Sequence, residues 1–167
     1  MVSFPIRALA LAAALSISAH AVAHITLADQ KAAVGSYYKA VFKVPHGCKG
    51  SATLKIRVRI PEGVIAVKPQ PKAGWSIDIV EGAYPKAYTL HGGQVASGVR
   101  EISWSGKLPD AYFDEFAFQA YLTSDLKAGD ELHFPVVQEC EKGVERWIDI
   151  KEPSATPAPH LTLLPKS

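Results

Sequence analysis

The sequence predicts an all-β domain, a sandwich of short antiparallel strands. Three observations carry that expectation. Residues 54–60, LKIRVRI, alternate without a break between aliphatic and basic side chains, which is the period of a strand buried on one face. Turn-forming clusters recur along the chain, among them Pro45-His46-Gly47, Pro61-Glu62-Gly63, His91-Gly92-Gly93, Ala128-Gly129-Asp130 and Lys142-Gly143. Nothing after residue 23 repeats its apolar residues with a helical period for more than a turn or two.

The first 23 residues stand apart. Arg7 provides a positive start and residues 8–19, ALALAAALSISA, an apolar run too short to span a bilayer comfortably, so 1–23 reads as a secretory signal peptide. Two cleavage points satisfy the small-x-small rule. Ala21-Val22-Ala23 leaves His24 first, and Ala19-His20-Ala21 leaves Val22 first. The signal has a bacterial Sec character, so a periplasmic destination is expected, with no transmembrane segment in the mature protein.

Strands are then expected in order. Tyr38, Ala40, Phe42 and Val44 alternate with Lys39 and Lys43, and Leu54, Ile56, Val58 and Ile60 with Lys55, Arg57 and Arg59. Further strands are expected at 75–80, 88–90, 99–104, 115–122, 131–137 and 144–150. About eight short strands suit a single domain of immunoglobulin or cupredoxin type, with an up-and-down barrel as the alternative. The domain spans 24–151. Residues 152–167 are rich in proline and small residues and read as an extended, disordered tail.

Composition excludes some functions. A net charge of +2 on 167 residues, with no basic block, gives no reason to expect nucleic acid as a partner. There is no HExxH, no GxSxG and no glycine-rich phosphate loop. The only methionine is Met1, so a copper site with a methionine ligand is excluded from the mature chain. Two cysteines, Cys48 and Cys140, suggest one disulfide in an oxidising compartment; reduced, they would form a soft Cu(I) site with His46.

Three other places can carry chemistry. A free N-terminal His24 offers an α-amine and an imidazole Nδ1 that chelate one ion, a nitrogen set suited to Cu(II). The bland reading is that His24 merely begins a first strand. In VERWIDI, alternation groups Val144, Arg146, Ile148 and Ile150 on one face, leaving Trp147 beside Glu145 and Asp149, off the expected core. Trp147 there walls a site or packs on a loop. In AYFDEFAF, either Asp114 or Glu115 can supply a metal-binding oxygen, or be a solvated edge charge. His91, His133 and His160 lie far apart in sequence, and each reads as structural or exposed.

Together AHITL, GSYYKAVFKVPHGC, RIPEGV, KAGW, WSGKLPDAYFDEF, FPVVQECEKG and ERW, in this order, resemble the YcnI-like family over residues 24 to about 151. The resemblance implies an exported β-sandwich that binds copper through a monohistidine brace, made of the first histidine's amine and imidazole with a carboxylate and a nearby tryptophan. It maps the histidine to His24, the tryptophan to Trp147 as a flanking group, and the carboxylate to Glu115, with Asp114 as runner-up. It further implies Cu(II) as cofactor, and the PHGC and QEC cysteines add a Cys48–Cys140 disulfide that shorter relatives of the domain need not have. The expected role is a periplasmic copper chaperone, not an enzyme, that passes its ion to a membrane copper transporter or another copper-handling protein. No second chaperone domain or membrane helix follows in this sequence, which suits a free carrier. Two alternatives stand beside it: a copper-dependent oxidative enzyme built on a histidine brace, and a structural or interaction sandwich without metal.

Overall fold

The computed structural model describes residues 24–151 and 153–166; the expected signal peptide lies outside the described residues. In chain order the strands are β1 (Thr26–Leu27), β2 (Lys31–Ala33), β3 (Ser36–Val44), β4 (Thr53–Arg59), β5 (Val64–Pro69), β6 (Ser76–Leu90), β7 (Gly93–Leu108), β8 (Asp114–Leu122), β9 (Glu131–His133), β10 (Val136–Cys140), β11 (Gly143–Trp147) and β12 (His160–Leu164). There is no helix among the described residues. The strands form separate sheets ordered β1-β3-β8-β5, β11-β10-β4-β7-β6 and β2-β12-β9, so the sandwich is realised and the barrel is not. Among the described residues, no helix is long and apolar enough to cross a membrane.

The two larger sheets bury their alternating apolar faces against each other. Tyr38, Ala40, Phe42 and Val44 of β3 are all buried, as are Phe116 and Phe118 of β8. Phe42 lies opposite Phe116 across the β3–β8 ladder, and its ring packs on Phe118 and Phe134. From the second sheet come Ile56, Val58, Ile102 and Trp104, all fully buried. Leu54 is the exception to the alternation in LKIRVRI: it faces solvent, while Thr53 is buried. The β4–β7 register shifts between Thr53 and Lys55, and one residue's slip exchanges the two faces of a strand. The stretches expected as separate strands at 75–80 and 88–90 are one long strand, β6, which pairs with β7 as an extended hairpin.

The expected disordered tail is not what the chain builds. Residues 160–164 form β12, which runs parallel to β2 and antiparallel to β9. HLTLL alternates, and its Leu161 and Leu163 enter the same core cluster as Phe42 and Trp104. The burial of two leucines, each contributing roughly 2 kcal/mol, offsets the proline-rich composition that precedes them.

Candidate metal centre

His24 sits at the head of β1. Ile25 and Leu27 are buried, and they fix the first strand onto the core, with Thr26 opposite Lys43 of β3. Continuing that register places His24 opposite Pro45, at the entry to the Pro45-His46-Gly47-Cys48 turn. On its other side, the His24 ring meets the indole of Trp147, with ring centroids 5.5 Å apart and planes tilted by 51°. Strands from opposite ends of the sequence thus supply the two rings.

Trp147 reverses the inward face expected for VERWIDI, while the alternation itself holds. It is 2 % exposed and belongs to the core, whereas Val144, Ile148 and Ile150 face solvent. β11 is an edge strand, and Trp147 lies opposite Val136 of β10, whose side chain is fully buried. One face of the strand must be chosen, and burying the large indole outweighs burying the smaller aliphatics. The polar end of the indole is satisfied: its Nε1–H donates to Gln138 Oε1 at 3.1 Å. Gln138 is itself buried, and its Nε2 donates to the His46 carbonyl and to Thr53 Oγ1, each at 2.8 Å. A buried amide therefore ties the tryptophan beside His24 to the backbone of the turn that holds His46.

The turn is tightly specified. A Cβ on Gly47 would stand 1.8 Å from the Ser51 carbonyl oxygen, so no side chain fits there. Gly47 N–H donates to Asp110 Oδ1 at 3.0 Å. Cys48 is bonded to Cys140 with a Cα separation of 5.8 Å, which joins the turn to β10. Both sulfurs are consumed, and no free cysteine occurs among the described residues, so the thiolate Cu(I) site is ruled out for this oxidised form. His46 Nδ1 lies 2.6 Å from the Gly47 carbonyl. A carbonyl only accepts, so Nδ1 carries the proton and Nε2 keeps the lone pair a metal needs.

The carboxylates lie elsewhere. Glu115 is opposite Lys43, and Lys43 is opposite Thr26, so β3 stands between Glu115 and β1. Two strand spacings make that separation about 10 Å even at Thr26, two residues beyond His24. Glu115 and Lys43 are exposed neighbours of opposite charge on the solvent face of the sheet. Asp114 is engaged by Lys72 Nζ at 2.6 Å and by the Glu115 N–H at 2.8 Å. Both acids line a cleft with Lys39, Lys72 and Phe113, of which His24 is no part. The structure therefore brings together His24 and Trp147 but neither Glu115 nor Asp114. Strand periodicity carries no information on which strand intervenes between two residues.

Sequence reasoning missed a second grouping. β12 brings His160 directly opposite His133 of β9, with ring centroids 5.6 Å apart. His160 also lines a small cavity of about 170 Å³ with His24, Gln30, Pro157 and Pro159. The pairing was hidden because residues 152–167 read as a tail. His91 sits apart, with Nε2 3.0 Å from the Tyr37 hydroxyl. Among the described residues, no three His, Cys, Asp or Glu side chains already close on one point as metal ligands.

The family model of a domain of unknown function, DUF1775, matches residues 24–163. The chain belongs to the DUF1775 family. The match begins at His24 and runs through Leu163, so the family domain includes most of β12. No curated protein matches the chain. Among solved structures, it is similar to an uncharacterized protein from Nocardia farcinica described as having an immunoglobulin-like fold. The two share 22% sequence identity with a TM-score of 0.59, covering 84% of this chain and 98% of that one. That likeness bears on the fold of this DUF1775 domain alone, and it agrees with the sandwich.

Proposed function

We propose that this DUF1775 protein is an exported Cu(II)-binding protein, a periplasmic chaperone that carries the ion as cargo to a membrane copper transporter or another copper-handling protein. The observation that supports the reading best is the packing of the His24 ring on Trp147. Cleavage after Ala23 frees the His24 α-amine, whose ordinary pKa of about 7.7–8.0 makes deprotonation inexpensive near neutrality. Amine and Nδ1 then hold Cu(II), the ion at the top of the divalent affinity series. Buried Trp147 covers one side of the imidazole and limits solvent access there. Glu115 and Asp114 are too remote to complete the set. His46 takes their place as the third donor, because its Nε2 lone pair is free and its turn adjoins His24. A carrier needs no general base or substrate cleft beside its metal.

The test is Cu(II) titration of the protein beginning at His24 against one carrying a single extra residue before it. Intact mass of the exported protein first establishes the native start. The extension removes the chelate and lowers affinity by roughly a hundredfold, two pKa-sized steps of 1.4 kcal/mol. His46→Ala weakens binding, and Glu115→Gln leaves it unchanged. Equal affinity with the same electron paramagnetic resonance spectrum in the extended form overturns the brace.

A further inference from the structure

The acids of AYFDEFAF, which the brace leaves unused, border a groove on the outward face of the β1-β3-β8-β5 sheet. Its shape follows from the register. Lys39, Gln119 and Lys68 stand in one row across β3, β8 and β5. In the next row Val41 lies opposite Ala117, whose carbonyl accepts the Gln70 N–H at 2.8 Å. Residues directly opposite one another share a face, so two small side chains form a floor beside long polar ones. Two cavities of about 360 Å³ each lie along this surface and share Lys39 and Gln70. Their linings differ. The first holds both acids, but Asp114 is engaged by Lys72 Nζ at 2.6 Å and Glu115 stands opposite Lys43. It also holds Phe113, which is 74 % exposed. The second is lined by Lys39, Lys68, Gln70, Phe118 and Gln119, with no carboxylate. Among the described residues, neither Lys39 nor Lys68 enters an ion pair. An anion above Gln119 meets both ammonium groups and an amide N–H at once.

We propose that this groove docks an extended acidic segment of a partner protein, with a carboxylate over Gln119 between Lys39 and Lys68 and an apolar side chain against Phe113. Charge complementarity selects the acid, because the groove's own carboxylates already face Lys72 and Lys43. Length selects a chain segment over a small molecule. Phe113 and Gln119 are six residues apart along β8 and the residue before it, about 20 Å at the rise of a strand. An extended peptide of about six residues spans that distance. Docking there needs no metal and no contact with His24, which lines neither cavity.

The probe is a displayed library of random short peptides, panned against the oxidised protein beginning at His24 with a metal chelator present. The expected result is recovery of peptides that carry acidic residues a few positions from an aromatic or aliphatic one. Titration of a recovered peptide should move the backbone amide NMR signals of Lys39, Lys68, Gln119 and Phe113, and its affinity should fall as salt rises. Lys39→Gln combined with Lys68→Gln weakens binding by roughly tenfold, the size of two exposed ion pairs, and Phe113→Ala by roughly fivefold. All three side chains are exposed, so the urea midpoint stays unchanged and identifies the folded variants. Recovery of no peptide, or of peptides without an acidic excess, overturns the proposal. So does full affinity in the double lysine variant. Movement of the same signals with protein concentration alone also overturns it, by placing a second copy of the chain in the groove. The chelator keeps every outcome separate from copper binding at His24.

Discussion

Reduction of the Cys48–Cys140 disulfide tests how this domain holds its candidate site together. The bond spans a sequence separation of 92, which encloses two of the four strands of one large sheet and four of the five of the other. In the chain-entropy account, closing a loop of that length removes about 15.6 cal/mol/K from the unfolded ensemble, or about 4.6 kcal/mol at 25 °C. The native state contributes little in the opposite direction, because Cys48 is already seated by a reciprocal backbone pair with Ser51 and is 1 % exposed. Reduced wild-type protein keeps both sulfurs in place, so comparing it with the oxidised form avoids a cavity term. Urea unfolding followed by tryptophan fluorescence should show the reduced form less stable by about 4–5 kcal/mol, with a similar dependence on surface exposed. A loss of this size lowers the midpoint of thermal unfolding by roughly 10–20 °C for a domain of this length. A difference below about 1 kcal/mol refutes the loop-entropy reasoning. It would mean that the reduced chain keeps the Cys48 turn and β10 together when the rest unfolds.

Two further predictions follow from the packing and the loops. Leu161→Ala or Leu163→Ala, at positions 0 % and 2 % exposed, should each cost about 2–5 kcal/mol in urea unfolding, and a cost within 0.5 kcal/mol would show that β12 is not core. Asp149 accepts hydrogen bonds from the hydroxyls of Ser154 and Thr156, which hold its carboxyl below the ordinary carboxylate range. A depressed pKa gives stability that is present above the ordinary carboxylate value and lost as pH falls through the lowered one. The protection factor of the Ala158 amide, which donates to the Asp149 carbonyl, should therefore fall once the pH drops below the ordinary carboxylate range. Asp149→Asn should abolish that acid dependence, and its persistence in the variant would exclude the carboxylate as its source.

Much of the architecture was present in the one-dimensional pattern. Period-2 alternation identified the inward faces of β3 and of most of β4, because a pleated strand beside a core can satisfy only one apolar face. The even cysteine count pointed to the bond that forms. Leu54 escaped because a bulge depends on the partner strand's hydrogen bonds, which no single strand records. Trp147 escaped because an edge strand with apolar residues on both faces leaves the choice to what each face meets. The separation of Glu115 from His24 was likewise beyond reach. Alternation fixes on which side of a sheet a residue lies, while strand order fixes its distance from any other residue.

The sequence by itself determined an all-β chain, its turns and its paired cysteines, because these depend on local conformational preference, polarity and residue chemistry. Only the tertiary structure decided which side chains meet. It set His24 against Trp147, moved the acidic pair a strand away, and drew a supposed tail into a sheet so that His160 faces His133 beside Glu131. Those outcomes rest on pairing between segments distant in the chain. Their energy comes from burying both partners at once, and neither segment carries that energy alone.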